Sequence, residues 1–577
     1  MKRAWIAATQ DTSVFNTHSS EINPLIAHLL RRRGIDTTDD QLEFLHPDYH
    51  AGLHDPFLFD DMELAIARIE YALEKNEKIT IYGDYDVDGV CGTSILYEML
   101  TALNARCDIV INHREREGYG LQKSALEQCK NSGTTLIITN DSGITNTEEI
   151  AYAQQAGMDV ILTDHHQPPD EAHIPPAYAI IHPLVHADRY PYKGLCGAGV
   201  VFKLIQGMLR TPCLRARIES LGISAEGFEK WLLDLVCIAT IADCMPLLGE
   251  NRALVHFGLI VLKKTRRIGV QELCKKARID TKSISPHTIG FQIAPRLNAA
   301  SRMEHGKLAF EILTTTDDGR ASELALILEE TNNKRRKLTE EIFKKARTLL
   351  KDQFDAGKKI LVGIGSDWAA GVLGLVASRL MNEYNRSVVL VTRTPAGRIG
   401  AARSVASIHI TNVFRKVEHL FLRYGGHAAA GGFAVKETVD EKTVIQDFHT
   451  IAEQQTVLPD SEKEEIIDAE IYLSDVTFES IELLLQLEPH GIGNAKPRFL
   501  IRNVEVHDIA FVGTNGTHAR FVFSDGRIKR RAIGFSLAKN AAHLQVGSKV
   551  DILTELDIHE WRDIREPQLS LIYFHEV

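Results

Sequence analysis

The apolar run Ile79 to Tyr82 ends in Gly83-Asp84-Tyr85-Asp86-Val87-Asp88-Gly89, three acids at alternate positions closed by a glycine. Thr93 to Leu100 then reads as a helix. A strand, an acidic loop and a helix start follow one another. Carboxylates packed this closely repel unless something positive sits between them. Hard divalent cations take oxygen ligands, so Mg²⁺ or Mn²⁺ is the natural occupant. Asp84-x-Asp86-x-Asp88-Gly89 also opens a calcium EF-hand loop. That loop needs a bidentate Glu at its twelfth position, where this chain has Ile95, and a strand rather than a helix precedes it. Taken alone, the segment could also be a solvated acidic turn.

From about 51 to 195 strand and helix patterns alternate. Strands are expected at Lys78–Tyr82, Cys107–Asn112, Thr135–Thr139, Asp159–Thr163 and Ala177–Ile181, with helices such as Ser124–Asn131 and Thr147–Gln155 between them. This is the pattern of a mostly parallel, doubly wound α/β sheet, whose ligands sit beyond the carboxyl ends of the strands. There the chain places Asn140-Asp141-Ser142-Gly143 and Asp164-His165-His166. Singly, Asp141 could mark a turn and the histidines could be ordinary surface residues. Together they bring acids and imidazoles from three strands to one sheet edge. That donor set lacks thiolate and suits Mn²⁺ or Mg²⁺ better than structural zinc. A further acid, Asp243, ends the apolar stretch Trp231–Ala242, where a plain helix stop near Pro246 is the alternative.

Net charge is −11, so nucleic acid, if bound, needs a locally basic path on an acidic body. Eight cysteines without a Cys-x-x-Cys pair argue for reduced thiols in a cytosol. No apolar run reaches the roughly 18 residues of a membrane span. Met1 to Ala8 is too short for a secretory leader.

Four segments, Gly83 to Gly89, Asn140-Asp141-Ser142-Gly143, Thr163-Asp164-His165-His166 and Ala242-Asp243, stand in the order of the four motifs of the DHH phosphoesterase superfamily. Their spacing and the chain from about residue 50 onward resemble the RecJ family of bacterial single-strand-specific exonucleases. The resemblance implies 5′-to-3′ degradation of single-stranded DNA to mononucleotides, in DNA repair and recombination, with two Mn²⁺ or Mg²⁺ ions per site. It assigns Asp86, Asp88, Asp141, His165 and Asp243 as ligands. Asp84 and Asp164 bind the ions or orient those that do, and His166 faces the scissile phosphate. It further implies a cytoplasmic monomer without membrane attachment, working with helicase or single-strand-binding partners. Two alternatives stand beside it. One is a phosphodiesterase of short oligonucleotides or cyclic dinucleotides. The other is a non-catalytic replication scaffold, against which the complete acid set speaks.

The same resemblance places Arg114 and Gly118-Tyr119-Gly120 along the nucleotide path. Pro295 to Arg302 is similar to the family's Pro-Arg-Leu-Asn-Ala-Ala-Gly-Arg, with Ser301 in place of Gly. Arg296 and Arg302 beside Asn298 suit phosphate oxygens, or form a surface pair. If the family glycine serves a left-handed turn, Ser301 strains it. No other Gly and no Pro interrupts Gly319 to Gly357, so one long helix or two in series is expected there. Its basic run Lys334–Lys337 is either a solvated face or a strand-tracking surface.

A second α/β unit follows, with strands Ile360–Ile364 and Ser387–Val391 and a helix at Gly374–Glu383. Its Gly397–Ser404 and Gly425–Gly432 segments resemble the DHHA1 domain, which implies phosphate contacts from Arg403, Ser404, Gly426 and His427. Trp368-Ala369 departs from an expected Trp-His, so no role passes to that position. After a polar linker at 455–466, strand patterns dominate and suggest a small OB-like barrel. There Arg527, Lys529, Arg530 and Arg531 lie beside Phe521, Phe523 and Phe535. They could form a single-strand-binding surface or a solvated hairpin over a core. The expected architecture is therefore two α/β domains facing across a cleft, joined by a long helix, plus a barrel. The expected boundaries are a helical lead-in 1–50, a DHH domain 51–318, a connecting helix 319–357, a DHHA1 domain 358–458 and an OB-like domain 466–577.

Overall fold

The computed structural model describes residues 5–6, 21–114, 116–185, 189–395, 397–454, 465–513, 515–561 and 564–577. Most of the expected linker, and the residues weighed as a leader apart from 5–6, lie outside them. The chain divides into two compact units: His54–Met245 with Phe257–Asp460, and Met1–Leu53 with Pro246–His256 and Ser461–Val577.

In the first unit, β1 (Lys78–Gly83), β2 (Arg106–Ile111), β3 (Thr134–Asn140), β4 (Asp159–Thr163) and β5 (Ala179–Ile181) form one sheet in the order β2-β1-β3-β4-β5. Every pairing is parallel. β1, β3 and β4 are buried almost throughout, which accounts for their unbroken apolar character. The chain leaves β1 for β2 on one side, and β3 lies on the other. The crevice between β1 and β3 is therefore the switch point where a ligand can enter. The acidic loop sits there and leads directly into helix α1 (Val87–Ala102).

Helix α2 (Gly197–Arg210) and helix α3 (Leu233–Ala242) pack against α1, and helix α4 (Ala294–Met303) follows. Helix α5 (Asp318–Asp355) is continuous over 38 residues. It buries one apolar group from Ala321 to Leu328 and a second from Ile342 to Leu350, with the basic run between them. The second group packs with Leu361, Trp368, Val376 and Leu390 of a mixed sheet and its flanking elements. That sheet contains β6 (Ile360–Gly365), β7 (Ser387–Thr394), β8 (Gly397–Arg403), β9 (Phe421–Gly426) and β10 (Ala430–Val435), ordered β9-β10-β8-β7-β6. Both α/β domains thus belong to one compact unit.

The second unit is a closed barrel. β11 (Phe499–Val512), β12 (His518–Ser524), β13 (Lys529–Gly534), β14 (Lys549–Trp561) and β15 (Ile564–Glu576) pair in the order β11-β12-β13-β15-β14, and β14 pairs back to β11. Leu25, Ile26, Leu29, Leu30 and Phe44 of the N-terminal helices join the core that contains Phe499, Phe521 and Phe523. The lead-in is thus packed into the barrel unit. Among the described residues, no helix is long and apolar enough to cross a membrane.

The strained turn expected at Ser301 is absent. Ser301 lies inside α4 and is 2% exposed, and its hydroxyl donates to the Asn298 carbonyl at 3.3 Å. Its φ is not in the left-handed region. Here glycine only adds unfolded-state freedom, so Ser301→Gly should lower stability by roughly 0.5–1 kcal/mol. Thermal melting of the two proteins checks the sign.

Candidate active site

Three strands deliver the site by one local rule: each strand's backbone pairing runs one residue past its end. The Asp84 amide donates to the Asn140 carbonyl (3.2 Å), the Asp141 amide to Thr163 (3.1 Å) and the Asp164 amide to Ile181 (3.4 Å). The acids therefore line one sheet edge. Asp141 has a φ of 59°, a strained setting that Asp tolerates better than most residues and that turns its carboxylate into the crevice. Two glycines make room. A Cβ on Gly197 would lie 2.5 Å from the Asp141 Cβ, and one on Gly89 would lie 2.5 Å from the Asp84 carbonyl oxygen.

The ligand atoms fall into overlapping groups whose members lie within 4.8 Å of one another: Asp84, Asp86 and Asp141; Asp88, His165 and Asp243; and Asp141, His165 and His166. Nε2 of His165 is 3.1 Å from Asp141 Oδ1 and 3.7 Å from both Asp88 Oδ2 and Asp243 Oδ2. Asp141 thus stands between two sets of donors. Asp84 Oδ1 and Asp141 Oδ1 are buried without a hydrogen-bond partner. Burial raises the Asp84 carboxyl above the usual range, and neighbouring Asp86 raises it further. Burial also raises Asp141, with Asp88, Asp86 and Asp84 adding to it. Burial and then Asp88 push Asp243 up to about 8. Burial lowers His165, which favours the neutral imidazole that binds metals. Orphaned oxygens, mutual repulsion and a neutral imidazole all fit divalent cations.

Asp164 departs from the ligand role. Its Oδ1 accepts from the His165 amide (2.7 Å), the His166 amide (3.2 Å) and His166 Nδ1 (2.8 Å), and its Oδ2 accepts from the Ile144 amide at 3.0 Å. With both oxygens occupied it orients the two histidines rather than binding an ion. Burial alone would depress His166, but the Asp164 hydrogen bond and charge override it and raise the imidazole to about 9. Tyr119 adds its hydroxyl at 3.0 Å from His166 Nδ1.

Some supports escaped the sequence reading. The amides of Gly197 and Ala198, at the start of α2, donate to the two Asp88 oxygens at 2.6 and 2.8 Å. The small-residue run Gly197-Ala198-Gly199 at a helix start was the available signal. Asn140 ties β3 to the acidic loop by donating to the Gly89 carbonyl at 2.5 Å. His182 meets the His166 carbonyl at 2.9 Å.

Across the cleft, the His427 ring stacks over His166 with centroids 6.1 Å apart. Gly426, beside it, has a φ of 144°. Beside the acids lies a group of guanidinium ions. Burial lowers Arg302 to about 9, with the like charges of Arg114, Arg335 and Arg403 lowering it further. Its Nε is buried without a partner, while its Nη1 donates to the Gly371 carbonyl at 3.1 Å. Arg114 lies over the Tyr85 ring at 4.9 Å. Arg335, from the run read as solvated or strand-tracking, therefore belongs with this group. Asn298 Oδ1 is buried without a partner.

Other expected phosphate contacts are otherwise engaged. Arg296 pairs with Glu329 at 2.6 Å and donates to the Gln292 carbonyl at 2.7 Å. Ser404 is buried, and its hydroxyl bonds the Ile408 carbonyl and Ser387. In the barrel, Phe521 and Phe523 are fully buried in the core, so neither can stack on a base. Arg530 donates to the Val476 carbonyl, Arg531 pairs with Glu566, and Lys529 meets His507. Arg527 and Phe535 remain exposed.

Family models match the chain in three places: the DHH family N-terminal domain over 78–240, the DHHA1 domain over 357–456 and the RecJ OB domain over 467–573. The single-stranded-DNA-specific exonuclease RecJ of Bacillus subtilis is 34% identical over 564 residues, covering 97% of this chain and 69% of its own. The crystal structure of RecJ from Thermus thermophilus in complex with Mn²⁺ matches with a TM-score of 0.79 and 30% identity, covering 96% of this chain and 76% of that one. The Mg²⁺ complex of the same protein gives 0.74 and 28%, covering 96% and 75%.

Three outcomes follow for the acids. A carboxyl raised by folding removes stability as pH climbs from its ordinary value to its raised one. In chelator the melting temperature should therefore fall between about pH 4 and about 8, the value to which Asp243 is raised, and Mn²⁺ should restore most at the upper end. Asp141→Asn keeps shape and backbone tolerance but removes one charge. It should raise the chelator melting temperature, lessen the pH dependence and cut hydrolysis by more than the 10- to 100-fold, roughly, typical of losing a ligand's supporting partner. Calorimetry in buffers of different ionisation enthalpy should also show proton release when Mn²⁺ binds at neutral pH. A variant melting lower in chelator, or binding without proton release, would contradict the electrostatic reading.

Proposed function

The chain belongs to the RecJ family of single-stranded-DNA-specific exonucleases, and on that premise we propose that it degrades single strands from the 5′ end to mononucleotides at the cleft around Asp141. The enzyme is metal-dependent, with Mn²⁺ or Mg²⁺ as its ions. The observation that carries the reading is the pair of donor sets meeting at Asp141, beside the stacked rings of His166 and His427.

Asp84, Asp86 and Asp141 would hold one ion, and Asp88, His165 and Asp243 the other, with Asp141 Oδ1, 3.1 Å from His165 Nε2, lying between the two sets. When bound, the ions supply the positive charge that activates the attacking water and offsets charge developing on the phosphoryl oxygens. Asp164 fixes His165 and His166 and is not itself a ligand. His166 turns Nδ1 toward Asp164, whose hydrogen bond and charge raise its pKa and fix the ring. It can donate a hydrogen bond to the scissile phosphate and a proton to the departing 3′ oxygen. Tyr119 restrains the same ring.

Arg114, Arg302 and Arg403 form no ion pair with a carboxylate among the described residues; burial and then the charge of Arg114 depress both Arg302 and Arg403. Such a group favours a bound anion, and a 5′-terminal phosphate supplies one. Arg302 also feels the charge of Asp86, so the phosphate would sit beside the ions. Held there, a strand can advance only about one nucleotide past the ions, which favours mononucleotide products. His427 and Gly426 close the cleft from the opposite sheet.

In this reading residues 51–318 carry the chemistry, 319–357 connect, 358–458 grip phosphates and 466–577 hold the strand. The protein would act as a cytoplasmic monomer beside helicases or single-strand-binding proteins.

The test uses strands labelled at either end. With Mn²⁺, a 5′ label should appear at once in mononucleotide and a 3′ label only at the end; chelator should stop both. Arg302→Ala should lower kcat/KM on 5′-phosphorylated strands by about 10- to 100-fold, the worth of one charge-assisted contact. Early release of the 3′ label, or oligonucleotide products, would contradict the proposal.

A further inference from the structure

Phe291 is 72% exposed, the most exposed aromatic side chain among the described residues. It sits on a π-helical turn, Ile289–Ile293, just before α4. Such widened turns are found frequently at functional sites. Ile289 and Ile293, on either side of it, are completely buried, so the turn places Phe291 alone outward.

The ring is also held in place. The exposed His287 stacks against it with centroids 4.6 Å apart and planes 27° from parallel. A Cβ on Gly290 would lie 3.8 Å from Ile241 Cγ2, in the helix capped by Asp243. On the other side, Arg296 grips the Gln292 carbonyl while pairing with Glu329. Arg296 therefore braces this turn instead of holding a phosphate.

Near Phe291 in the chain, the half-buried Ser285, Thr288 and Gln292 are polar. A protein-docking patch needs contiguous apolar surface. A lone flat aromatic on a polar rim suits the π-face of a base, which any sequence presents. The platform backs onto Ile241, in the last turn of the helix that Asp243 caps.

We propose that Phe291, backed by His287, is a stacking platform for a nucleobase of the strand still to be degraded. The proposal rests on the reading that this chain cleaves single strands. Stacking releases no counterions, so its loss should change affinity without changing salt dependence.

The experiment compares the full-length wild type with Phe291→Ala and Phe291→Trp on a strand of about 20 nucleotides and on a 5′-phosphorylated dinucleotide. Phe291→Ala should raise KM for the long strand by roughly 10- to 100-fold, leave kcat and dinucleotide hydrolysis unchanged, and keep the salt slope of binding. Phe291→Trp should retain wild-type KM, and its indole emission should be quenched by oligodeoxyadenylate but far less by an abasic strand of equal length. An unchanged KM in Phe291→Ala, equal losses on both substrates, or equal quenching by the abasic strand would each overturn the platform. A wild-type enzyme that cut no strand would instead overturn the nuclease reading, before any variant was made.

Discussion

Repulsion among carboxylates held at one sheet edge is the constraint on which the rest of this molecule depends. Asp84, Asp86, Asp88, Asp141 and Asp243 are brought together by strand ends and helix caps, and several are buried. Water cannot screen them well there, and protonation or a cation must relieve them. The fold supplies partial relief where a carboxylate must stay fixed. Backbone amides at the start of α2 hold Asp88, and Asp164 takes four hydrogen bonds. It withholds relief at Asp84 Oδ1 and Asp141 Oδ1, which face the space a cation would fill.

The opposite charge excess stands beside it. Burial and then the charges of Arg114, Arg335 and Arg403 depress Arg302, as burial and then Asp88, Asp86 and Asp84 raise Asp141. Neither group neutralises the other, although Asp86 and Arg302 feel each other's charge. A phosphodiester with its ions matches the arrangement: the cations satisfy the acids, and phosphate oxygens satisfy the guanidinium groups. The parallel sheet contributes the acids and the mixed sheet contributes Arg403 and His427. Helix α5 bears Arg335 and packs at both its ends within the same unit. Both groups of charges thus lie within one compact unit.

Much of this was legible because it is local. The acids follow apolar strand runs at fixed spacing, and a doubly wound sheet puts every such loop at one edge. What the sequence left hidden was side-chain destination. Arg296 and Arg302 sit in one motif, yet one braces a turn against Glu329 and the other joins the charged cleft. Ser301 looked like a strained substitution because a glycine suggested a turn, but the segment is helical. Phe521 and Phe523 lie beside the basic run Arg527 to Arg531 in sequence, which suits a binding face. Barrel closure sends those rings inward and leaves part of the hairpin's charge paired. Asn140 and the Gly197–Ala198 amides act through tertiary contacts that no short spacing encodes.

These acids would form one site for two ions, with Asp141 between them. Crystals grown with Mn²⁺ and measured by anomalous diffraction at the manganese edge should show two peaks about 4 Å apart, with Asp141 oxygens reaching both. A single peak, or two peaks with Asp141 touching neither, would contradict this arrangement.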